Sequence, residues 1–277
     1  MIVITGSKGL LGREVVKLFQ KNGNSIFPIS KKDFDLVSED LLKLKFVPDA
    51  IIHLAAAVPT SIDTDDSLIS AEITRKIDNN VCNAAKMWNC KLLYASTCAV
   101  YKRTKNLISE ESELDLESPS PYIQAKISGE KLANAIPGSI ICRLPALVGD
   151  NMNSKSILLT FINNVMKKRK IELWGTGKRE QNFLDVLDVA KAFDLILKND
   201  TDKKIYNIAN SKTISMIDLA NMIISVLEKG EISFADIEDP NEDICVNYDV
   251  NLAEKALKWS ALKPISETIR GIIKNQC

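Results

Sequence analysis

The chain has one histidine, His53, in 277 residues, which rules out any site built on two histidines. Its six cysteines, Cys82, Cys90, Cys98, Cys142, Cys245 and Cys277, include no CxxC and no metal-like spacing. No metal site is therefore expected, and the thiols read as reduced and mostly buried in a cytoplasmic protein. Neither sign of charge prevails, with 36 Lys+Arg against 36 Asp+Glu. That balance excludes a general attraction to nucleic acid or to an anionic membrane surface. Long hydrophobic runs are missing too, so no membrane span is expected. MIVITG reads as a buried strand, and no cleaved leader is expected ahead of it. Internal repeats and low-complexity linkers are absent. What the chain does have is 45% apolar residues, enough for a sizeable core in one large α/β unit or two lobes around a cleft.

Short apolar runs alternate with longer amphipathic stretches. Strands are expected at 2–5 (IVIT), 24–30 (NSIFPIS), 49–57 (DAIIHLAAA), 91–96 (KLLYAS) and 139–144 (SIICRL), with one more at 205–210 (IYNIAN). Helices are expected at 10–21, 67–88, 121–135, 156–170, 186–199 and 215–230, the last stopped by Gly230. IELWG, near 171–175, reads as short and extended. Near-continuous apolar strands alternating with helices imply a parallel sheet covered on both faces.

Between the first strand and the first helix, ITGSKGLLGREVV places Gly6, Gly9 and Gly12 in a GxxGxxG spacing. Glycines there permit a tight turn and let backbone approach a pyrophosphate at the helix N-terminus. Ser7, Lys8, Leu10 and Leu11 fill the same turn. Tyr122 and Lys126, in PYIQAK, lie four residues apart and so share a helix face. Ser120 takes the N-cap position there and Pro121 the first helical one. YxxxK alone would be an ordinary solvated pair; the rest of the chain gives it meaning.

Taken in order, these motifs resemble the extended short-chain dehydrogenase/reductase superfamily, whose NAD-dependent epimerase/dehydratase family comprises nucleotide-sugar epimerases, dehydratases and reductases. TGSKGLLG is similar to its TGxxGxxG, HLAAAVP to its HxAA segment, and Asn79-Asn80 to its asparagine-bearing helix. YASTCAVY, PYIQAK, RLPALVGD and GTGKREQNFLDVLDVA resemble YxSSxxVY, YxxxK, RxxxxYGP and GxGxxxRDFxxVxDVA. The resemblance covers roughly residues 1–210. It implies a Rossmann-type doubly wound parallel sheet in residues 1–150, with 184–210 returning to it. Residues 151–277 would form mainly a smaller C-terminal substrate-binding lobe.

The same resemblance assigns roles. Tyr122 would move a proton, Lys126 would tune it and bond the nicotinamide ribose, and Thr97, 25 residues upstream of Tyr122, would bond the substrate oxygen. A phenol with a pKa near 10 needs roughly 4 kcal/mol to become a base near pH 7. A nearby ammonium and the positive ring of an oxidised nicotinamide would supply it. Leu54, Ala55, Ala56, Asn80 and Pro145 join the glycine loop as expected cofactor contacts, and Asp35-Leu36 as the adenine contact. Cys98, Lys178 and Arg179 are expected beside the substrate with Thr97. An inert, buried Cys98 is the competing reading.

In the dehydratases of this family, Asp and Glu follow the threonine. Here Cys98 and Ala99 follow it, which argues against 4,6-dehydration and the related decarboxylation. At the end of the second strand, Ser30, Lys31 and Lys32 stand where NAD-binding members carry an aspartate, so NADP(H) is favoured and NAD(H) is the alternative. The short SKKDFDL connection is more like that of the 4-ketosugar reductases. Further departures are Lys102 for a glycine, Gln181 for an arginine and Asp185 for a histidine or tyrosine. The resulting expectation is 4-keto reduction of a nucleotide-activated sugar with Tyr122 as proton donor. A 4-epimerase with retained NAD and a non-catalytic dinucleotide-binding subunit are the alternatives. A homodimer through a helix pair that includes 121–135 follows from the resemblance.

Overall fold

A computed structural model describes residues 1–59, 65–152, 156–199 and 204–276. Its first half runs β1 (Ile2–Thr5), α1 (Leu10–Lys21), β2 (Ile26–Ile29), β3 (Ala50–His53), α2 (Asp65–Trp88), β4 (Lys91–Thr97), α3 (Pro121–Asn134) and β5 (Ile140–Leu144). Next come β6 (Ala146–Val148), α4 (Ile157–Lys168), β7 (Lys170–Leu173), β8 (Glu180–Gln181), β9 (Phe183–Asp185), α5 (Val186–Lys198) and β10 (Ile205–Asn207). The chain ends with β11 (Ile214–Ser215), α6 (Met216–Leu227), β12 (Glu231–Phe234), α7 (Asn251–Leu257) and α8 (Ile265–Gln276).

Six strands form one parallel sheet in the order β10-β5-β4-β3-β1-β2. Successive strand residues face opposite sides, so each apolar run feeds two cores at once. Ile4, Ile52 and Leu93 pack against Val15 and Phe19 of α1 and Val189 and Phe193 of α5. Their neighbours Val3, Ile51 and Leu92 pack on the other face against Val81, Ala84 and Ala85 of α2 and Ala133 of α3. A further core gathers Leu158, Ile162, Leu219, Ile223, Ile269 and Ile272 from α4, α6 and α8 around Ile171 and Phe183. No helix among the described residues is long and apolar enough to cross a membrane.

From β1 the chain steps outward through α1 to β2, then returns through residues 30–49 to β3 on β1's other side. The strand order therefore reverses between β1 and β3, and a crevice opens beyond their C-terminal ends. That return contains only one short turn, Leu41–Lys43.

Three boundaries differ from the sequence expectation. The strand expected at 49–57 stops at His53 because its backbone finds side-chain acceptors. Leu54 and Ala55 donate to Thr5 Oγ1, each at 3.1 Å, and Ala57 donates to Thr74 Oγ1. Helix α6 stops at Leu227 with Glu228 in the left-handed region, and Gly230, at φ +113°, then turns the chain into β12. The elements after α6 had no counterpart in the sequence reading: β12, α7 and α8.

Candidate active site

Two of the three loop glycines are fixed by packing. Gly6 has φ +66°, and a Cβ there would lie 2.8 Å from the Ala55 nitrogen. A Cβ on Gly12 would sit 2.1 Å from the Gly6 carbonyl oxygen. Gly9 is different: it is exposed, caps α1, and its Cβ would meet only the Gly6 oxygen, at 3.1 Å. The first turn of α1 carries no acidic residue, which leaves its N–H groups open to an anion. Ser7 and Leu11 are buried under this turn, Leu10 is half-buried and Lys8 is exposed.

At the end of β2, Ser30 is buried and donates to Asp33 Oδ2 at 2.5 Å, while Lys8 Nζ lies 3.5 Å from the same oxygen. The Ser30 hydrogen bond, opposed by desolvation and aided by Lys8, holds the Asp33 carboxyl below its ordinary range. Asp33 is thus a carboxylate at the β2 terminus that the sequence reading passed over. It lies three residues beyond the usual place, behind the exposed Lys31 and Lys32. Asp35 Oδ1 accepts from the Val37 nitrogen, and Leu36 is buried. Asn80 fastens this loop, accepting from the Leu41 nitrogen and donating to the Leu36 and Glu39 carbonyls.

Thr97 closes β4, and its hydroxyl accepts from the Ala99 nitrogen. The turn that follows docks on α3, where Val100 packs with Ile123 and Ile127. Ser120 and Pro121 begin α3 as expected, and Tyr122 N donates to Ser67 Oγ on α2 at 3.3 Å. Lys126, only 3% exposed, lays its ammonium 4.1 Å from the centre of the Tyr94 ring. Beneath it runs a buried chain of polar groups. Thr5 Oγ1 meets His53 Nδ1 at 2.7 Å, His53 Nε2 meets Asp78 Oδ1 at 3.0 Å, and Tyr94 donates to Asp78 Oδ2 at 2.6 Å. Gly129 on α3 makes room for it, since a Cβ there would lie 2.1 Å from the Tyr94 hydroxyl and 2.3 Å from Asp78 Oδ2.

Burial opposes charge on Asp78. Lys126 and the hydrogen bonds from His53 and Tyr94 outweigh it, leaving the carboxyl below its ordinary range. Lys126 is pulled down by burial and held up in part by Asp78 and then Glu130. The Tyr122 phenol is pushed up to about 12, by burial first and Asp78 second. Lys126 therefore faces Asp78 directly, and these protein groups by themselves hold Tyr122 as a neutral proton donor.

Cys98 does not face the cleft. It is 3% exposed and packs with Tyr101, Ile108 and Tyr248, and burial pushes its thiol far up. This corrects the expectation of Cys98 beside the substrate; the inert reading holds, and Ala99 is the exposed neighbour of Thr97. Behind it, Glu130 takes a two-pronged bond from Arg143 (2.7 and 3.0 Å) and another from Ser96. Pro145 follows β5, half-buried. In the second lobe, Lys178 is exposed, while Arg179 Nε lies 3.3 Å from Asp239 Oδ2. Thr176 and Lys178 backbone nitrogens both reach Glu242. Asp185 is buried, capping α5 through the Leu187 nitrogen and binding Thr268 and Lys263.

Residues 2–209 match the profile of the NAD dependent epimerase/dehydratase family. A dTDP-D-glucose 4,6-dehydratase of Dictyostelium discoideum is 27% identical over 267 residues, covering 81% of this chain and 62% of that protein. The chain thus spans less than two thirds of that relative's length. A UDP-N-acetylglucosamine 4-epimerase from Methanobrevibacter ruminantium M1, solved with UDP-N-acetylmuramic acid, superposes with a TM-score of 0.87 at 21% identity, over 100% of this chain and 98% of that one. A UDP-glucuronic acid 4-epimerase from Bacillus cereus, solved with UDP-glucuronic acid and NAD, gives 0.83 at 20% identity over 100% and 99%.

Proposed function

The chain belongs to the NAD dependent epimerase/dehydratase family and is an enzyme of the extended short-chain dehydrogenase/reductase type; from that premise we propose that it moves a hydride between a nicotinamide dinucleotide and C4 of a nucleotide-activated sugar. The observation that carries this reading is Lys126, buried one helical turn from Tyr122 at the point where the sheet order reverses. A lysine this buried has no structural need that an apolar residue would not meet better.

The glycine loop fits a dinucleotide. Gly9 is not forced by packing as Gly6 and Gly12 are, and the open face it leaves suits a pyrophosphate against the N–H groups of residues 7–12. Ser30 and Asp33 would hold the adenosine ribose, Asp35 and Leu36 the adenine side, and Leu54, Ala55, Ala56 and Pro145 the nicotinamide side. When bound, the nicotinamide supplies or accepts the hydride and, oxidised, adds a positive charge near Tyr122. Tyr122 gives its proton to the sugar oxygen in the reducing direction. Thr97 orients that oxygen, and Lys126 keeps positive charge beside the phenol and reaches the ribose. Lys178 and Arg179 would meet the sugar diphosphate, with Arg179 first released from Asp239.

Asp33 decides the cofactor preference. A carboxylate bonded to Ser30 and paired with Lys8 suits a ribose diol and repels a 2′-phosphate. NAD(H) is therefore preferred over the NADP(H) that Lys31 and Lys32 had favoured. A retained NAD accords with C4 epimerisation, the activity named for both solved neighbours. The short return from β2 to β3 supports a second reading, 4-keto reduction. Dehydration is disfavoured, because Cys98 is buried and Ala99 carries no acid. A second copy of the chain would dock on α2, where Leu68 and Ile69 are exposed.

The test is conversion of UDP-hexoses followed by proton NMR, for wild type and Tyr122→Phe. The phenylalanine variant should lose about 10²–10⁴-fold in rate with NAD binding intact. Unchanged turnover would remove Tyr122 from the mechanism. Absence of any sugar turnover alongside retained NAD binding would favour the non-catalytic alternative.

A further inference from the structure

Two carboxylates face the buried Lys126 ammonium, Asp78 from α2 and Glu130 from α3. Glu130 is already neutralised, with Arg143 taking both its oxygens and Ser96 adding a third bond. Asp78 has no such partner, and the hydrogen-bond inventory shows why. Thr5 Oγ1 accepts from two backbone nitrogens, Leu54 and Ala55. A hydroxyl has two lone pairs and one hydrogen, so its own proton goes to His53 Nδ1. His53 Nδ1 is then an acceptor and Nε2 carries the hydrogen, which is donated to Asp78 Oδ1. The imidazole is neutral in this arrangement. Tyr94 supplies the other oxygen with a neutral hydroxyl. Asp78 thus receives hydrogen bonds but no positive charge from either partner.

We propose that Asp78, oriented by His53 and Tyr94, is the counter-ion that keeps Lys126 protonated and in place, with the Tyr94 ring as the spacer between them. It acts through Lys126 and is therefore a positioning residue. The proposal deepens the reading of Tyr122 and Lys126 as the catalytic pair and rests on it. Its chemistry follows from the geometry. A fully desolvated ammonium sheds its proton unless an opposite charge lies close. The ring of Tyr94 offers Lys126 its negative face while its hydroxyl holds the carboxylate. The chain ends at Thr5, whose oxygen also fixes the Leu54 and Ala55 backbone, so Lys126 is registered against the crevice floor. The other titratable groups turned toward this cluster are Cys82 of α2 and Tyr122 of α3, both neutral, and burial keeps them so. The single histidine of the chain thus has a task without itself changing charge.

The experiment is a pH titration of the full-length protein labelled with 13Cε-lysine, with the Lys126 resonance assigned by its loss in Lys126→Met. In wild type, Lys126 should remain protonated through neutral pH. In Asp78→Asn its midpoint should fall by about one pH unit or more, while in Tyr94→Phe, which keeps the carboxylate, the fall should be smaller. A midpoint unchanged in Asp78→Asn would overturn the proposal, as would a wild-type Lys126 already neutral at pH 7. The wild-type curve decides the matter even if Asp78→Asn does not fold. Since no substrate is used, failure here is distinct from failure of the Tyr122→Phe assay, which tests the catalytic pair itself.

Discussion

Tyr122 illustrates how far a motif reaches and where it stops. PYIQAK shows that a tyrosine and a lysine share a face, but not which charges surround them. Asp78, the residue that pushes the phenol up and faces the ammonium, lies 44 positions before Tyr122 in sequence, on another helix, in a stretch that reads as an ordinary polar face. The pH dependence follows from the raised phenol. With Tyr122 near 12, the proton-donating form persists across neutral pH, so the reducing direction should vary little between pH 6 and 9. The oxidising direction, which needs the phenolate, should gain with pH over the same interval; stopped-flow rates in both directions check this. Asp78 also bears on acid stability. Its folded carboxyl lies below the ordinary value of about 3.9, so its contribution is present above that value. It is lost as pH falls through the folded one, and acid unfolding followed by circular dichroism should be less steep in Asp78→Asn. Gly129 gives a packing test. A methyl there collides with Tyr94 and Asp78, and Gly129→Ala should cost about 1–3 kcal/mol in urea unfolding.

Among the elements, the six strands of the main sheet were readable because each is an apolar run that feeds two cores. Their ends were less so. The 49–57 run looks like one strand, yet it leaves the ladder after His53 because Thr5 and Thr74, far away in sequence, capture its backbone. Asp33 was missed for a related reason: the reading assumed that the ribose contact sits at the last strand residue, whereas the turn after Ser30 brings a later carboxylate back. In α8, the spacing of Ile265, Ile269 and Ile272 carries a helical period that the sequence does display, whereas β12 and α7 are too short to show one. The DVLDVA segment looked like part of a ligand site, but Asp185 and Asp188 are latches. Asp188 accepts from the Leu262 and Lys263 nitrogens and, through its carbonyl, from Trp259. Asp188→Ala would strand two buried donors and should destabilise the protein by about 2–4 kcal/mol. Faster amide exchange at 259–272 than elsewhere would confirm that the loss is local.

At the scale of the whole molecule, the sheet brings distant segments to one crevice: the glycine loop after β1, the Leu54–Ala56 backbone after β3, Thr97 after β4 and the start of α3. The second lobe adds a turn, 175–180, whose basic residues are countered by Asp239 and Glu242 from the 235–247 loop. Composition gave the α/β class, and motif order gave the family. The sugar and the nucleotide depend on that lobe, where few residues match any pattern. Its occupancy need not be known to test the central claim, which is that this is a nicotinamide-dependent oxidoreductase selecting NAD through Asp33 and recycling it in place. The most direct measurement is to denature freshly purified protein and identify the nucleotide released. Near-stoichiometric NAD or NADH is the predicted result. Release of NADP or NADPH would contradict the assignment of Asp33, and release of no dinucleotide would contradict a retained cofactor and turn the account to a reductase that exchanges it at every turnover.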